Sequence, residues 1–332
     1  MKLGFHVGQV VASGYDLQRQ WQEHLEQLRA ARDAGFDFVS WGHHWLIHPF
    51  QHFQPIPVLA RFAAEAGSMD LATGVLLTPL LNPVQVAEDV ATLDHICEGR
   101  LIFGVGLGYR PEEFEAAGSA MSERLGRFEE GLALMKRLWT EDEVTHHGAF
   151  YRVTGARPTA RPYQKPYPRI WIAATNERAV RRAARLGHSF YALGTLAHER
   201  LKALIPLWRT TLREHGHAEP VEVPMHREVY VATTRDRARR LARPRIEAKY
   251  AGYAQHGLPG VGATLAGGVD ALMPDPFIVG DAGDCVDALT RYAELGVTHA
   301  ALRLFWPAMT NAEVLEMIEL IGALVIPKLK RR

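Results

Sequence analysis

Short apolar runs alternate with longer segments of helical periodicity along most of the chain, and no other feature constrains the fold as strongly. Strands that are each followed by a helix predict a parallel sheet. Eight such units favour a closed (β/α)8, or TIM, barrel, because the alternative, an open doubly wound sheet, more often has about five or six strands. The predicted strands are 3–9, 36–41, 70–77, 100–108, 169–175, 188–193, 225–234 and 297–305.

Two stretches interrupt this alternation, and we expect both to be insertions in a single domain that spans residues 1–332. Residues 141–168 follow the fourth strand and its helix, and the run VTHHGAFYRV within them predicts a hairpin at His147 and Gly148. Residues 251–276, rich in Gly and Pro, follow the seventh strand and its helix. Long loops in compact domains are usually lids or binding loops. A bare barrel needs about 250 residues, so a chain of 332 residues has room for both insertions.

Charge and composition exclude several classes of protein. The formal net charge of +1 argues against a dedicated nucleic-acid binder, and apolar residues interrupt the Arg-rich run at 235–245 as on a solvated helix face. The sequence has no run of about 18 apolar residues, so it predicts no membrane span. The first residues have a strand pattern rather than that of a signal peptide. The two cysteines, Cys97 and Cys285, cannot build a disulfide framework, so we expect a reduced, cytoplasmic protein.

Four of the 16 histidines lie in the segment WGHHWLIHPFQHF. His44, His48 and His52 have a spacing that would align three metal ligands on a helix, but Pro49 opposes a helix at that point, so we predict no metal site. The adjacent pair His43 and His44 follows the second strand. Active sites of barrels lie at the carboxyl ends of the strands, and paired imidazoles there suit acid–base chemistry or hydrogen bonding to a bound ring.

Other strand ends offer candidate ligand contacts. Gly106, Gly108 and Tyr109 close the fourth strand, and Thr78 ends the third. Glycines there let a ligand approach the backbone closely, although packing is an equally good explanation, and their spacing is not that of a dinucleotide fingerprint.

The fifth strand leads into a helix that could hold a phosphate group. Thr175 or Asn176 would cap the helix, and Arg178 lies in its first turn. A helix amino terminus favours phosphate, but simple capping explains Asn176 as well. Arg124 and Arg127 begin an earlier helix that could reach the same area.

The ordered motifs resemble the bacterial luciferase-like superfamily of flavin-dependent monooxygenases. The similarity rests on GFDFVSWGHHW, on LLTPLLNPVQVAEDVATLDHICEGRLIFGVGLGYRPEEFEAAG (76–118), on ERLGRFEEGLALMKRLW and on PRIWIAATNERAVRRAARLG. The segment 76–118 is the most specific, and the similarity weakens beyond about residue 195. It implies a TIM barrel with reduced flavin lying across the carboxyl ends of the strands.

The resemblance also implies roles for single residues. It places one histidine of the pair His43 and His44 beside the flavin ring, as an acid–base group or as a ligand to the oxygenated flavin. Gly42 stands where the family often has an acid, which puts carboxylate assistance to that histidine in question. A non-proline cis peptide is expected at Gly74–Val75. The family's ring and ribityl contacts fall on Thr78, Gly106 and Tyr109, and its phosphate contacts on Thr175, Asn176, Arg178 and Arg127.

The function that this resemblance implies is oxidation by reduced FMN and O2 of a small, largely apolar substrate, with a separate flavin reductase as a possible partner. The alternatives are an F420-dependent reductase or dehydrogenase, a flavin-binding barrel without turnover, and a non-redox barrel enzyme. Against the last of these, the motifs above contain no strand-end Lys and no convincing set of metal ligands. A homodimer that uses the second and third helices is expected. The aromatic residues that suggest an apolar pocket, or equally a core, are Trp41, Trp45, Phe50, Phe53, Phe305 and Trp306.

Overall fold

The computed structural model describes residues 1–7, 11–12, 14–220, 222–255 and 275–330. Its strands are β1 (Lys2–Val7), β2 (Val11–Ala12), β3 (Phe38–Trp41), β4 (Phe50–Gln51), β5 (Asp70–Thr73), β6 (Leu76–Leu77), β7 (Leu101–Gly106), β8 (Val144–His147), β9 (Arg152–Ala156), β10 (Arg169–Ala174), β11 (Ser189–Ala192), β12 (Pro224–Val231), β13 (Ile278–Gly280) and β14 (His299–Arg303).

The helices surround the strands. They are α1 (Leu17–Asp33), α2 (Pro55–Ala63), α3 (Pro83–Ile96), α4 (Pro111–Ala116), α5 (Arg124–Thr140), α6 (Glu177–Arg185), α7 (His198–Glu214), α8 (Arg235–Gln255), α9 (Ala282–Glu294), α10 (Asn311–Leu324) and α11 (Ile326–Lys330). Among the helices that the structure describes, none combines the length and the apolar character needed to cross a bilayer.

Eight parallel strands close into a barrel, which confirms the predicted TIM fold. Around the barrel they follow the chain in the order β1, β3, β5, β7, β10, β11, β12 and β14. Pairing of β7 with β10 and of β14 with β1 completes the ring. β6 extends the third barrel strand along β7, and β13 pairs with the last residues of β12. The predicted first strand was expected to end near Gln9, which lies outside the described residues.

Side chains fill the barrel in layers, because alternate residues of each strand face inward. One apolar layer comes from six strands and consists of Phe38, Ala72, Ile102, Trp171, Tyr191 and Ala301. Below it, ion pairs close the amino-terminal end: Arg169 lies 3.0 Å from Asp70 and 2.6 Å from Glu222. Glu222 also accepts a hydrogen bond from Nε1 of Trp171. The carboxyl end of the barrel is therefore the end available for a site.

The first insertion contains the predicted hairpin. β8 and β9 pair antiparallel, and the backbone N–H of Gly148 donates to the carbonyl of Tyr151. The carboxylate of Glu130 on α5 accepts the backbone N–H groups of Ala149, Phe150 and Tyr151, which fixes the hairpin against that helix. Of the second predicted insertion, 251–255 continue α8 and 256–274 lie outside the described residues.

The Arg-rich run forms the first half of α8, as predicted for a solvated helix face. Three of its guanidinium groups form ion pairs with neighbouring helices: Arg235 with Asp284, Arg237 with Glu316 and Arg245 with Glu313.

Candidate active site

Three neighbouring barrel strands present a glycine at their last inward-facing position. Gly42 follows β3, Gly74 follows β5, and Gly106 ends β7. Side chains alternate between the two faces of a strand, and each glycine is separated by an even number of positions from an inward-facing residue of its own strand. All three glycines therefore face the barrel axis. A methyl group added at Gly106 would lie 2.7 Å from Cγ2 of Val75, and one added at Gly74 would lie 3.2 Å from Cβ of Ser40. These three residues are here called the glycine floor. Gly42 and Gly74 are partly exposed, so a flat ring can lie on their backbone, whereas Gly106 is buried against Val75.

The peptide bond between Gly74 and Val75 is cis, as the resemblance predicted. It joins the third barrel strand to β6, and its glycine belongs to the glycine floor. The ring of His6 lies beneath it, with Nδ1 3.3 Å from the position of a Cβ at Gly74. Nδ1 of His6 in turn hydrogen-bonds Oγ of Ser40 over 2.9 Å.

His43 is buried at the edge of the glycine floor. The backbone N–H of Leu77 donates to its Nδ1 over 3.2 Å, so Nδ1 carries no hydrogen. Burial, followed by the neighbouring charge of His44, lowers the pKa of His43 to about 4. His43 is therefore neutral at pH 7 and carries its one ring hydrogen on Nε2.

His44 has a buried carboxylate partner. Its Nδ1 lies 2.9 Å from Oε1 of Glu113, a fully buried residue of α4 that also accepts the backbone N–H of Trp45 over 2.8 Å. Burial by itself raises the pKa of Glu113, but the hydrogen bond and charge of His44 outweigh it, and the pKa is lowered overall. The carboxylate thus holds the hydrogen of His44 on Nδ1, and the side chain, 33% exposed, has Nε2 available for a ligand.

The sequence did not single out Glu113. Gly42 had put carboxylate assistance in question, because the acid is absent from the segment that carries the histidines. The structure supplies the carboxylate from the helix after the fourth barrel strand. The available signal was the acidic first turn of PEEF, directly after the glycine-rich strand.

The remaining residues predicted near the second to fourth strand ends fall into two groups. The ring of Tyr109 lies edge-on to His44, 5.6 Å between centroids, and the buried Oγ1 of Thr78 has no hydrogen-bond partner. Both suit contact with a ligand. Gly108 has φ of +78°, and a Cβ there would lie 3.2 Å from the ring of Phe114, so turn geometry and packing explain this glycine.

At the fifth strand end, the structure brings Thr175, Asn176 and Arg178 together as exposed residues. Oδ1 of Asn176 accepts the backbone N–H of Ala179 over 3.0 Å, which is the capping interaction. The N–H groups of the helix amino terminus and the guanidinium of Arg178 face solvent near it. The phosphate role of these residues stays a prediction.

Arg127 makes its contacts at the start of α5 and with the β8–β9 hairpin. Its Nε donates to Glu123 over 2.8 Å, and its guanidinium lies over the rings of Phe150 and Tyr151 in the β8–β9 hairpin. These contacts give Arg127 a packing role on α5, and its predicted phosphate contact is untested.

A different arginine lies between α5 and α6. Arg182 is half-buried over the ring of Phe128, and its Nε is buried without a hydrogen-bond partner. Burial lowers its pKa, Glu129 opposes the shift, and the charges of Arg185 and Arg124 add to it. An unpartnered guanidinium N–H beside a second arginine is suited to an anion. From sequence, Arg182 was one of several arginines on a helix face.

The remaining histidines of the WGHHWLIHPFQHF segment have no metal geometry. Nε2 of His52 donates to the carbonyl of Gly42 over 3.1 Å, and its ring stacks on Trp41. His48 is exposed and precedes Pro49 through a cis peptide bond. Within the described part of the chain, no three His, Cys, Asp or Glu side chains form a group that could hold a metal ion.

The predicted aromatic pocket is partly core. Trp41 and Trp306 are fully buried, and each indole donates to a backbone carbonyl. Phe305 is also buried, whereas Trp45 is half-buried above His43 and Phe50 is exposed.

Comparison with known proteins adds the family. The family model described as luciferase-like monooxygenase matches residues 1–299. An F420-dependent glucose-6-phosphate dehydrogenase from Intrasporangium calvum is 30% identical over 297 residues, which cover 84% of this chain and 87% of that protein. The oxygenase component of a flavin-dependent trigonelline monooxygenase from Acinetobacter baylyi is 25% identical over 242 residues, which cover 72% of this chain and 67% of that protein. Several other relatives are matched over only 44% to 63% of their own length.

A solved structure agrees over the whole chain. The crystal structure of monooxygenase RslO1 from Streptomyces bottropensis superposes with a TM-score of 0.87 at 25% identity, covering 99% of this chain and 100% of that one. The family thus includes both FMN-dependent monooxygenases and F420-dependent dehydrogenases. The match over residues 1–299, together with the barrel and its strand-end site, shows that this chain belongs to the luciferase-like monooxygenase family.

Proposed function

We propose that this chain is a flavin-dependent monooxygenase that uses reduced FMN and O2 to oxidise a small organic substrate. The observation that carries the proposal is the glycine floor with the His44–Glu113 pair at its edge. A side-chain-free patch accepts a planar ring, and an imidazole oriented by a carboxylate can move a proton at the edge of that ring.

The residues present fit an isoalloxazine ring. A Cβ at Gly42 would meet no protein atom closer than 3.6 Å, so there is room at this backbone position that a ring could occupy. The unpartnered Oγ1 of Thr78 lies among the same strand ends and can hydrogen-bond a polar edge of the ring or the ribityl chain. Tyr109 and Trp45 supply aromatic surface beside it.

We infer that the phosphate of FMN binds near the amino terminus of α6. The exposed N–H groups at Asn176, the guanidinium of Arg178 and the unpartnered Nε of Arg182 all suit a dianion. We place the phosphate with Arg178 and Arg182, and assign Arg127 to packing of the hairpin.

When bound, reduced FMN supplies two electrons and activates O2. The protein's part is to position groups around it. Glu113 keeps the hydrogen of His44 on Nδ1, so that Nε2 can accept a proton. His43, neutral with a hydrogen on Nε2, can donate a hydrogen bond.

F420-dependent hydride transfer is the second candidate. The 30% identity over 84% of the chain to a dehydrogenase of that kind favours it. The adjacent pair His43 and His44 is the feature that leads us to FMN. A non-catalytic flavin-binding barrel is the third candidate, and the carboxylate held on His44 argues against it because binding alone does not need an oriented base. The predicted homodimer contact at α2 and α3 and the separate flavin reductase stay proposals.

Absorption spectroscopy tests the choice. We expect the purified chain to bind FMN, and the reduced complex mixed with O2 in a stopped-flow instrument to show an oxygenated flavin before the oxidised spectrum returns. Binding of F420 in preference to FMN would replace the proposal with the second candidate. Failure to bind either cofactor would reject both.

A further inference from the structure

A polar wall lies across the barrel from the glycine floor. It consists of His226 and Glu228 on β12, Arg303 at the end of β14, and Lys249 on α8. β12 is the seventh of eight barrel strands and β5 the third, so the two lie on opposite sides of the axis. The ring of His6 connects the two surfaces, because it lies under Gly74 and its centroid is 5.0 Å from that of His226.

Only one carboxylate oxygen of the buried Glu228 takes part in ion pairs. Its Oε1 pairs with the ammonium of Lys249 and lies 3.8 Å from Nη1 of Arg303, whereas the buried Oε2 has no hydrogen-bond partner. Glu228 is 5% exposed. A buried carboxylate oxygen without a donor is unusual in a folded protein and marks a place where a ligand can supply one.

His226 offers a second group of the same kind. Its Nε2 is buried without a hydrogen-bond partner, although the residue as a whole is partly exposed at the barrel mouth. Burial, followed by the charges of Arg303 and Lys249, holds the pKa of His226 well below its ordinary value, so the ring is neutral. His226 and Glu228 are two residues apart on β12, so their side chains leave the same face of the strand. Both pack against the backbone of Gly194, where an added methyl group would lie 3.1 Å from Nδ1 of His226 and 3.8 Å from Cγ of Glu228.

We propose that Glu228 and His226 bind a hydroxyl group of the substrate. The inference rests on the proposed function only in taking the flavin to lie on the glycine floor, so that a molecule held by the polar wall is adjacent to it. The substrate class is an alcohol or a phenol whose hydroxyl donates to Oε2 of Glu228 and hydrogen-bonds Nε2 of His226.

Other ligand groups fit these surroundings less well. A carboxylate anion has no hydrogen to give to Oε2 of Glu228. A cation would be repelled by Lys249 and Arg303. A carbonyl or ether oxygen has no hydrogen to give to Oε2. A neutral hydroxyl both donates and accepts, and it satisfies both unpartnered atoms without adding charge.

The test measures binding of three small probes by ¹⁹F NMR: 4-fluorophenol, 4-fluorotoluene of nearly the same shape, and 4-fluorobenzoate as the anion. The whole chain is used, with and without FMN, and FMN binding is read from absorption in the same samples. We expect wild type to bind 4-fluorophenol about tenfold or more tightly than 4-fluorotoluene, the effect of a hydrogen bond to a charged group. A lack of this preference, or a preference for 4-fluorobenzoate, would overturn the proposal.

Variants locate the binding site. Glu228→Gln and, in case the loss of the ion pair to Lys249 prevents folding, His226→Phe should each reduce the preference to about threefold or less. Glu222→Gln is the matched control, because Glu222 is a carboxylate in an ion-pair cluster at the other end of the same barrel, and it should keep the full preference. If both wall variants keep it too, the hydroxyl binds elsewhere and the proposal is wrong.

The same samples separate the two proposals. A chain that prefers 4-fluorophenol but binds no FMN keeps the hydroxyl site and loses the proposed flavin function. A chain that binds FMN without the preference loses only the hydroxyl site.

Discussion

Nδ1 of His44 and Oε1 of Glu113 lie 2.9 Å apart, although the two residues follow different barrel strands and are separated by 69 positions in the chain. The contact joins the loop after the second strand to the helix after the fourth. It fixes the ring orientation and the tautomer of His44. A carboxylate in this position also stabilises the imidazolium that forms when Nε2 takes a proton.

We predict that Glu113→Gln reduces kcat/KM by about 10- to 100-fold, because an amide holds the ring in place but stabilises no charge on it. FMN affinity should change by less than about threefold, since Glu113 lies behind His44. Steady-state kinetics and a flavin titration measure the two effects. Glu112→Gln, an exposed neighbour on the same helix, is the control and should behave like wild type. Equal activity of the two variants would contradict a role for the pair.

The glycine floor predicts a selective effect of one methyl group. In Gly42→Ala the new Cβ meets no protein atom within 3.6 Å, so the free energy of unfolding should change by less than about 1 kcal/mol. FMN binding should weaken about tenfold or more, because the methyl occupies the surface of the ring. Gly131→Ala on α5, where a Cβ would be in ordinary contact, is the control. Unchanged FMN affinity in Gly42→Ala would place the ring elsewhere.

The barrel could be predicted from the sequence because its signal is local. The strands β7, β10 and β14 come from near-continuous apolar runs of the sequence. Each is preceded or followed by a helix with its own periodicity. The hairpin at His147 and Gly148 is equally local. The cis peptide at Gly74 was accessible only through family resemblance, since its neighbours in sequence do not distinguish it.

The polar contacts of the site could not be predicted in the same way. The partner of His44 depends on how the loop after β7 turns, which sets Glu113 rather than Glu112 inward. Arg182 and Arg127 both lie on amphipathic helices with acidic neighbours. Arg127 pairs with Glu123, four residues before it, a spacing that is visible in the sequence. That Nε of Arg182 is buried over Phe128 without a hydrogen-bond partner depends on how α6 lies beside α5. Long-range contacts such as His44–Glu113 follow from the fold and not from residue spacing.

Buried neutral histidines predict a loss of stability in mild acid. Burial, followed by the charge of His52, lowers the pKa of His24 to about 3, against 6.5 for an ordinary histidine. Between these values the unfolded chain takes up a proton that the folded chain does not, so stability falls as the pH drops from about 6.5 toward 3. At pH 5 this group alone costs about 2 kcal/mol relative to pH 7.

His24→Phe tests this contribution, because His24 packs edge-on between Trp41 and Phe53, where a phenyl ring has a similar shape. At pH 7 the free energy of unfolding should change by less than about 1.5 kcal/mol. Between pH 7 and pH 5 the variant should lose about 2 kcal/mol less than wild type in urea unfolding. His147→Gln, an exposed position on the hairpin, should follow wild type at both pH values. Parallel pH profiles for wild type and His24→Phe would show that His24 is protonated in the folded state.

Arg182 makes the phosphate assignment testable apart from the ring. Arg182→Met keeps much of the aliphatic stem over Phe128 and removes the unpartnered Nε. Without ligand the variant should be as stable as wild type or slightly more so, because a buried polar group without a partner is lost. FMN affinity should fall about tenfold, the effect of one charge-assisted contact, whereas riboflavin, which has the same ring and no phosphate, should bind equally to both proteins. Arg181→Met, which removes an exposed arginine paired with Glu177, is the control on the same helix. If riboflavin and FMN weaken together, Arg182 supports the fold of the site; if neither weakens, the phosphate lies away from α6.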